Sequence, residues 1–221
     1  MYSRRPSDRS IVTALCLGVA ACGFLSGCAN SGYTKAQTTS NSLSNAASEV
    51  EVARQQLAAA AAALTTLVTA PTADLRGAFE RYRSGVDALE SSVNRLNREA
   101  ENMQKQGQKY FAAWDAQLAE IKNENIRARS AGRQQEVAQQ FASIQQQYAM
   151  VNQQFPPLLS RLRDIQRLLS VDLTPTGIRT AQDFATRAEG DAAILRQTLD
   201  QLAASFRAMS GVLAPVAGPP A

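Results

Sequence analysis

Between Leu75 and Ile121, apolar residues recur at alternating intervals of three and four. Leu75, Phe79, Tyr82, Val86, Leu89, Val93, Leu96, Ala100, Met103, Gly107, Tyr110, Trp114 and Ile121 keep one register almost unbroken. A strand would alternate every second residue, and a helix of a compact domain would carry a looser stripe. A seam held over several heptads is what helices need to wind around one another. The stretch therefore commits the chain to long helices, and three further segments repeat the pattern.

The first segment places Leu43, Val50, Leu57 and Leu64 at one seam position and Ala46, Ala53, Ala60 and Leu67 at the other. Its alanines predict a close-packed helix pair, and the Ala58–Ala63 run favours helix because alanine is the best helix former. A turn is expected around Pro71, with Asp74 in the first turn of the next helix. The second helix is expected to extend to about Arg127 and to end at Ser130–Gly132. The third segment reads Val137, Phe141, Ile144, Tyr148, Val151, Phe155, Leu158, Leu162, Ile165 and Leu169. Pro156 and Pro157 interrupt it while the register continues, which predicts a kink between Asn152 and Pro157. Thr174 and Pro175 read as an N-cap followed by proline at the first helical position. The fourth segment runs from Ile178 through Ala185, Leu195 and Leu202 to Leu213.

Short connections make neighbouring helices antiparallel. The expected fold is all-α: an elongated up-down-up-down antiparallel coiled-coil bundle of four unequal helices spanning residues 43–213. The second is expected to hold about fifty residues, against about twenty-seven, thirty-seven and thirty-eight in the others.

Ahead of this body lie Arg4, Arg5 and Arg9, then an apolar run from Ile11 to Phe24, then Leu25-Ser26-Gly27-Cys28. The layout is that of a secretory signal peptide, too short to span a membrane as a helix. Its last four residues resemble the lipobox of bacterial lipoproteins, in which the cysteine thiol accepts a diacylglyceryl group. The resemblance implies cleavage after residue 27, lipidation of Cys28 and attachment to a membrane. Many Gram-negative lipoproteins kept at the inner membrane carry aspartate after the cysteine; Ala29 stands there instead, which implies the periplasmic face of the outer membrane. Residues 28–42 are small and polar and are expected to form a flexible tether behind the lipid. Residues 214–221, proline-rich, are expected to be a disordered tail.

Cleavage would remove Cys16 and Cys22 and leave Cys28 as the single cysteine, so disulfides are excluded and packing alone must hold the fold. Arg4, Arg5, Arg9 and Asp8 would leave too, taking the net charge from +4 to +2. Little electrostatic case for nucleic-acid binding survives. The chain holds no histidine, which removes Ser-His-Asp and Cys-His catalysis, imidazole metal ligands and a switch near neutral pH. No segment resembles a phosphate-cradling loop or a dinucleotide fingerprint.

The body, over roughly residues 50–205, is similar to an uncharacterised family of bacterial lipoproteins with long coiled-coil helices. The likeness rests on the seam through Trp114 and on the junction from Pro157, Leu158 and Leu159 through Leu173 to Ile178. One proline stands in the family where this chain has Pro156 and Pro157, and Thr174-Pro175 replaces a more polar junction. The resemblance implies localisation and architecture, and carries no catalytic residues.

Few residues invite a functional reading. Tyr110, Phe111 and Trp114 form the densest aromatic cluster, either core or a ligand platform. Gly107, on the seam, marks a close crossing, a kink or a small cavity. Gln117 would fix register. Glu99 with Glu101 and Glu189 with Asp191 are two residues apart, on different helix faces, and do not converge on one atom. Lys122, Arg127, Arg129 and Arg133 surround the expected turn between the second and third helices and form a candidate surface-binding cluster.

The expected function is that of a membrane-anchored, non-enzymatic structural or adaptor module. It would use no cofactor or metal, and would present a helical rod to an envelope protein, with oligomerisation open. The alternative is direct binding to an envelope surface, anionic lipid or cell-wall polymer, through the basic turn.

Overall fold

The structure is a computed structural model and describes residues 29–69 and 74–215. The expected signal peptide, Cys28, the expected turn around Pro71 and most of the expected proline-rich tail lie outside the described residues. Four helices account for nearly all of the rest: α1 (Ala29–Thr69), α2 (Leu75–Glu120), α3 (Glu124–Val171) and α4 (Pro175–Leu213). No strand occurs among the described residues.

The seams meet in one core. Leu43, Leu57, Leu64, Tyr82, Leu89, Phe155, Leu162, Leu199 and Phe206 are all buried in it. α1 packs on α2 and α4, and α3 packs on the same two, so the helices stand at the corners of a square. The alanines of α1 bring it closest to its neighbours, as expected. A β-carbon added to Gly85 of α2 would stand 3.3 Å from the Ala60 Cα.

Three boundaries differ from those expected. The proposed tether is helix: α1 begins at Ala29, not near Leu43. Its hydroxyls satisfy backbone groups instead of competing with them. Thr38 and Thr39 donate to the carbonyls of Thr34 and Lys35, both at 2.8 Å. Ser40 donates to the Ser210 carbonyl of α4 at 2.9 Å, and Ser210 returns a bond to the Ser40 carbonyl at 3.0 Å.

The α2–α3 turn is also earlier than expected, at residues 121–123 rather than Ser130–Gly132. Asn123 decides it, because its side-chain oxygen accepts the Ile126 N–H at 3.1 Å and caps α3. Gly132 remains inside α3 at a cost of about 1 kcal/mol relative to alanine. The helices are consequently less unequal than expected, at 41, 46, 48 and 39 residues. At 1.5 Å per residue α3 is about 72 Å long, and the bundle is slender.

The cap of α4 and the continuity of α3 follow the expectation. Thr174 accepts the Gly177 N–H at 3.2 Å with Pro175 opening α4, and α3 runs through both prolines without ending.

Cross-links between helices fix their levels. Thr39 reaches the Gln106 carbonyl at 3.3 Å, Ser40 meets Ser210, Ser205 donates to Gln147 at 2.8 Å, and Tyr82 donates to the Leu162 carbonyl at 2.6 Å. Ser210 is therefore level with about Gln106, and Leu213 ends α4 near the level of Gln108 and Lys109. Among the described residues, α1, α2 and α3 continue beyond that level. Ala29 comes level with about residue 116 of α2, within about 10 Å of the 121–123 turn at 1.5 Å per residue. The start of α1 and the α2–α3 turn thus share one end of the rod, and Asp172–Thr174 marks the other.

Candidate functional site: the three-helix end

Where α4 stops, the α2 seam opens. Met103 and Gly107 are buried, Tyr110 and Trp114 half-buried, and Gln117 exposed. With Gly32, Tyr33 and Ala36 of α1 and Ala113 of α2, these last three line a cleft of about 300 Å³. Tyr33 is 51% exposed, high for an aromatic ring at a helix junction. The Gln117 side chain forms no hydrogen bond to another described residue.

The aromatic cluster forms as its spacing suggests. Tyr110 packs edge-on against Phe111 at 5.4 Å and Trp114 at 5.5 Å, and Phe111 packs against Phe141 of α3 at 5.6 Å. The Trp114 indole N–H donates to Ser130 at 3.1 Å, tying α2 to the residue expected to end it. Burial pushes the Tyr110 phenol above its ordinary pKa, with Arg133 acting weakly the other way. The cluster is thus half-buried and packed against the core. Gly107 is a close crossing, because the Phe141 ring occupies the space of its missing side chain.

Lys122, Arg127, Arg129 and Arg133 all lie at this end and are exposed. The turn separates Lys122 from the three arginines, which stand on α3. Arg127 approaches Glu124 at 3.9 Å and donates to the Ile121 carbonyl at 3.4 Å, and Arg133 pairs with Glu136 at 3.4 Å. Lys122 and Arg129 form no ion pair with another described residue. Half of the basic cluster is therefore neutralised locally. Ile126 beside it is 58% exposed, so the tip combines cations with a bare aliphatic side chain.

The acidic pairs do not converge. Glu189 accepts from Thr65 of α1 at 2.5 Å, whereas Asp191 forms an ion pair with Arg161 of α3. Among the described residues no group of three His, Cys, Asp or Glu side chains could hold a metal.

Sequence reasoning missed a second surface, at the opposite end. Pro157, Ser160, Arg161, Asp164, Ile165 and Leu168 of α3 and Phe184 of α4 line a groove of about 510 Å³. Leu168 and Phe184 are its partly exposed apolar residues, both off the seam positions. Large apolar residues away from the seam were the available signal.

No described helix is long and apolar enough to cross a membrane. No curated protein and no solved structure matches the chain. Residues 25–208 match the family described as "Protein of unknown function (DUF2959)", and the chain belongs to that family.

Proposed function

We propose that this member of the DUF2959 family is an envelope lipoprotein, anchored through acyl chains on Cys28, that acts as a non-enzymatic structural or adaptor rod. One coincidence of position carries the reading. The described part of α1 starts at the same end of the rod as the α2–α3 turn, so the residues that precede it, Cys28 among them, join the rod at that end. A lipid on Cys28 would bring that end to the membrane and send the Asp172–Thr174 end outward by the length of the bundle. Each buried acyl CH₂ contributes about 0.8 kcal/mol, so two or three chains hold the protein essentially permanently. The alanine after Cys28 favours the periplasmic face of the outer membrane. The long helical faces supply the surface on which an envelope protein partner would dock.

Two measurements test this. Cys28→Ser should leave a larger, unprocessed or detergent-insensitive precursor; unchanged size with unchanged detergent partitioning would refute the anchor. Fluorophores placed singly at positions 125 and 173 of the membrane-bound protein should differ in quenching by headgroup-labelled lipid. Stronger quenching at 125 is expected. Stronger quenching at 173 would reverse the orientation.

A second reading is favoured by Lys122 and Arg129, exposed and without an ion pair among the described residues, at the same end of the rod beside Ile126. It makes this tip a binder of anionic lipid or cell-wall polymer in its own right. Neutralising Lys122 and Arg129 in the native envelope separates the two. Protein crosslinks that persist favour the adaptor, and loss of sedimentation with membrane or wall favours surface binding.

A further inference from the structure

We infer that two copies of this chain pair side by side and parallel through the outer face of α3 and α4, α3 of each copy lying against α4 of the other.

The large apolar side chains left outside the core are not scattered. Of the eight that are exposed among the described residues, six lie on these two helices: Met150, Leu168, Val171, Phe184, Ile194 and Val212. Tyr33 and Ile126, the other two, stand at the three-helix end. The six follow heptad spacing. Met150, Pro157, Asp164 and Val171 share one position on α3, and Phe184, Asp191, Thr198, Ser205 and Val212 share one on α4. Leu168 and Ile194 border the groove between these lines. Each helix thus carries, beside its buried seam, a second seam turned outward. Hollows of about 510, 250 and 360 Å³ follow one another along it. An apolar surface this continuous marks a place of association.

Its size fits a second copy. Ser205 donates to Gln147 at 2.8 Å and Arg161 pairs with Asp191, which fixes the levels of the two helices. Leu168 is then level with Phe184, Pro157 with about Ile194, and Gln140 with Val212. From Gln140 to Val171 the face is about 46 Å long at 1.5 Å per residue. Two helices about 10 Å apart make it about 20 Å wide. The outline of about 900 Å² matches the roughly 800 Å² that each partner buries in a stable interface. One docked helix, about 10 Å across, would leave half of that width bare.

The face also complements itself. A two-fold axis parallel to the rod sets α3 of one copy against α4 of the other at equal levels. Leu168 then meets Phe184 of the second copy, Pro157 meets Ile194, and Arg161 meets Asp191. Arg187, without an ion pair among the described residues, comes level with Asp164. Apolar residues meet apolar ones, and the charges between them fix the register. Reversing one copy over the same length would set Arg161 against Met150 instead. Both α1 starts fall at one end of the parallel pair, with or without lipid on Cys28.

Crosslinking between copies tests this. A photocrosslinking residue replaces Ile194, 64% exposed, in a tagged full-length chain produced together with the untagged natural chain. Irradiation should give an adduct of twice the chain's mass that holds both copies, with the crosslink mapped to α3 of the natural copy near Pro157. The same residue in place of Ser84, exposed on α2 near the level of Leu162, should give none. Val171→Lys and Phe184→Ser, both at exposed positions and checked for unchanged helicity by circular dichroism, should each lower the yield at 194 toward that at 84. An adduct with a different protein overturns the inference in favour of another partner, and a crosslink mapped to α4 overturns the parallel order. No adduct from 194, equal adducts from 84, or a yield untouched by both substitutions overturns the pairing itself.

Discussion

The Phe141 ring occupies the place of a side chain at Gly107. A β-carbon there would stand 2.6 Å from Cε1 and 2.9 Å from Cε2, with Phe141 only 4% exposed and held by Phe111. Alanine would gain about 1 kcal/mol of helix propensity. Overpacking a filled core costs about 1–3 kcal/mol, and the buried ring would have to shift against Phe111 to make room. Gly107→Ala should therefore lower Tm, and Phe141→Leu should cost less in the Gly107→Ala background than alone. A double-mutant cycle measures this; additive effects would show that the crossing is looser than described.

Leu89 and Leu96 are 0% and 1% exposed. Aspartate at either position buries a carboxylate without a partner, and a loss of about 3 kcal/mol or more is expected. The control must be chosen from the structure. Asn97 lies off the seam but accepts the Tyr148 hydroxyl at 2.8 Å, and Glu90 pairs with Arg163. Asn94 is exposed and forms neither kind of bond, so Asn94→Ala should change stability by less than about 0.5 kcal/mol. Comparable losses at 89 and 94 in urea titrations would mean that the register is wrong.

Burial pushes the Tyr148 phenol from its ordinary 10 up to about 12, and Glu101 nearby acts in the same direction. Tyr82, fully buried, is raised further by burial. The unfolded chain loses these protons from about pH 10, whereas the folded chain keeps them, so their contribution is intact below pH 10 and is lost as pH rises toward 12. Urea midpoints should be flat from pH 8 to 9.5 and fall between pH 10 and 12. The fall should be shallower in Tyr148→Phe, although that variant starts lower for want of the bond to Asn97. An equal slope in both proteins would assign the alkaline loss to other groups.

Arg163 bridges Asp87 at 2.6 Å and also Glu90, joining α3 to α2. Both bonds strengthen the protonated guanidinium and raise its pKa. The carboxylates are about half exposed, so solvent screens the bridge. Arg163→Lys keeps the charge and loses the fork that reaches two acids at once. A loss of about 0.5–1 kcal/mol is expected, shrinking at high salt. A loss insensitive to salt would point to packing by the arginine stem instead.

Heptad spacing carried the helices and nearly every core residue, because burial in a coiled coil is periodic, and the short connections carried their antiparallel order. It failed where periodicity is silent. The Ala29–Asn41 segment has few large apolar residues and reads as a tether, yet small residues such as Ser40 are what a close approach of α1 to α4 admits. The α2–α3 turn was misplaced because Ser130–Gly132 look like a break, while one side-chain cap from Asn123 outweighs them. Of the candidate site, sequence located the basic residues and the aromatic cluster. It could not show that Glu124 and Glu136 neutralise two of the arginines, nor that α4 ends a helical turn before Trp114. Both depend on relative levels of helices far apart in sequence.

The last prediction concerns the two prolines inside α3. Pro156 and Pro157 are exposed, and neither can donate to the carbonyls of Asn152 and Gln153 one turn earlier. Val151, Phe155 and Leu158 on either side remain buried on the seam, so the core follows one register through the interruption. A proline in a helix interior costs about 3 kcal/mol, although a bend that suits the surroundings returns part of it. Pro156→Ala restores a donor at an exposed position and removes no buried contact. It should raise stability by about 0.5–2 kcal/mol, within the range of compatible surface substitutions. Pro157→Ala should gain less, because Pro157 lines the groove between α3 and α4 with Ile165 and Phe184. Thermal melts of both variants check the order. A lower Tm for Pro156→Ala would mean that the proline bend is required to seat Phe155 and Leu158 in the core.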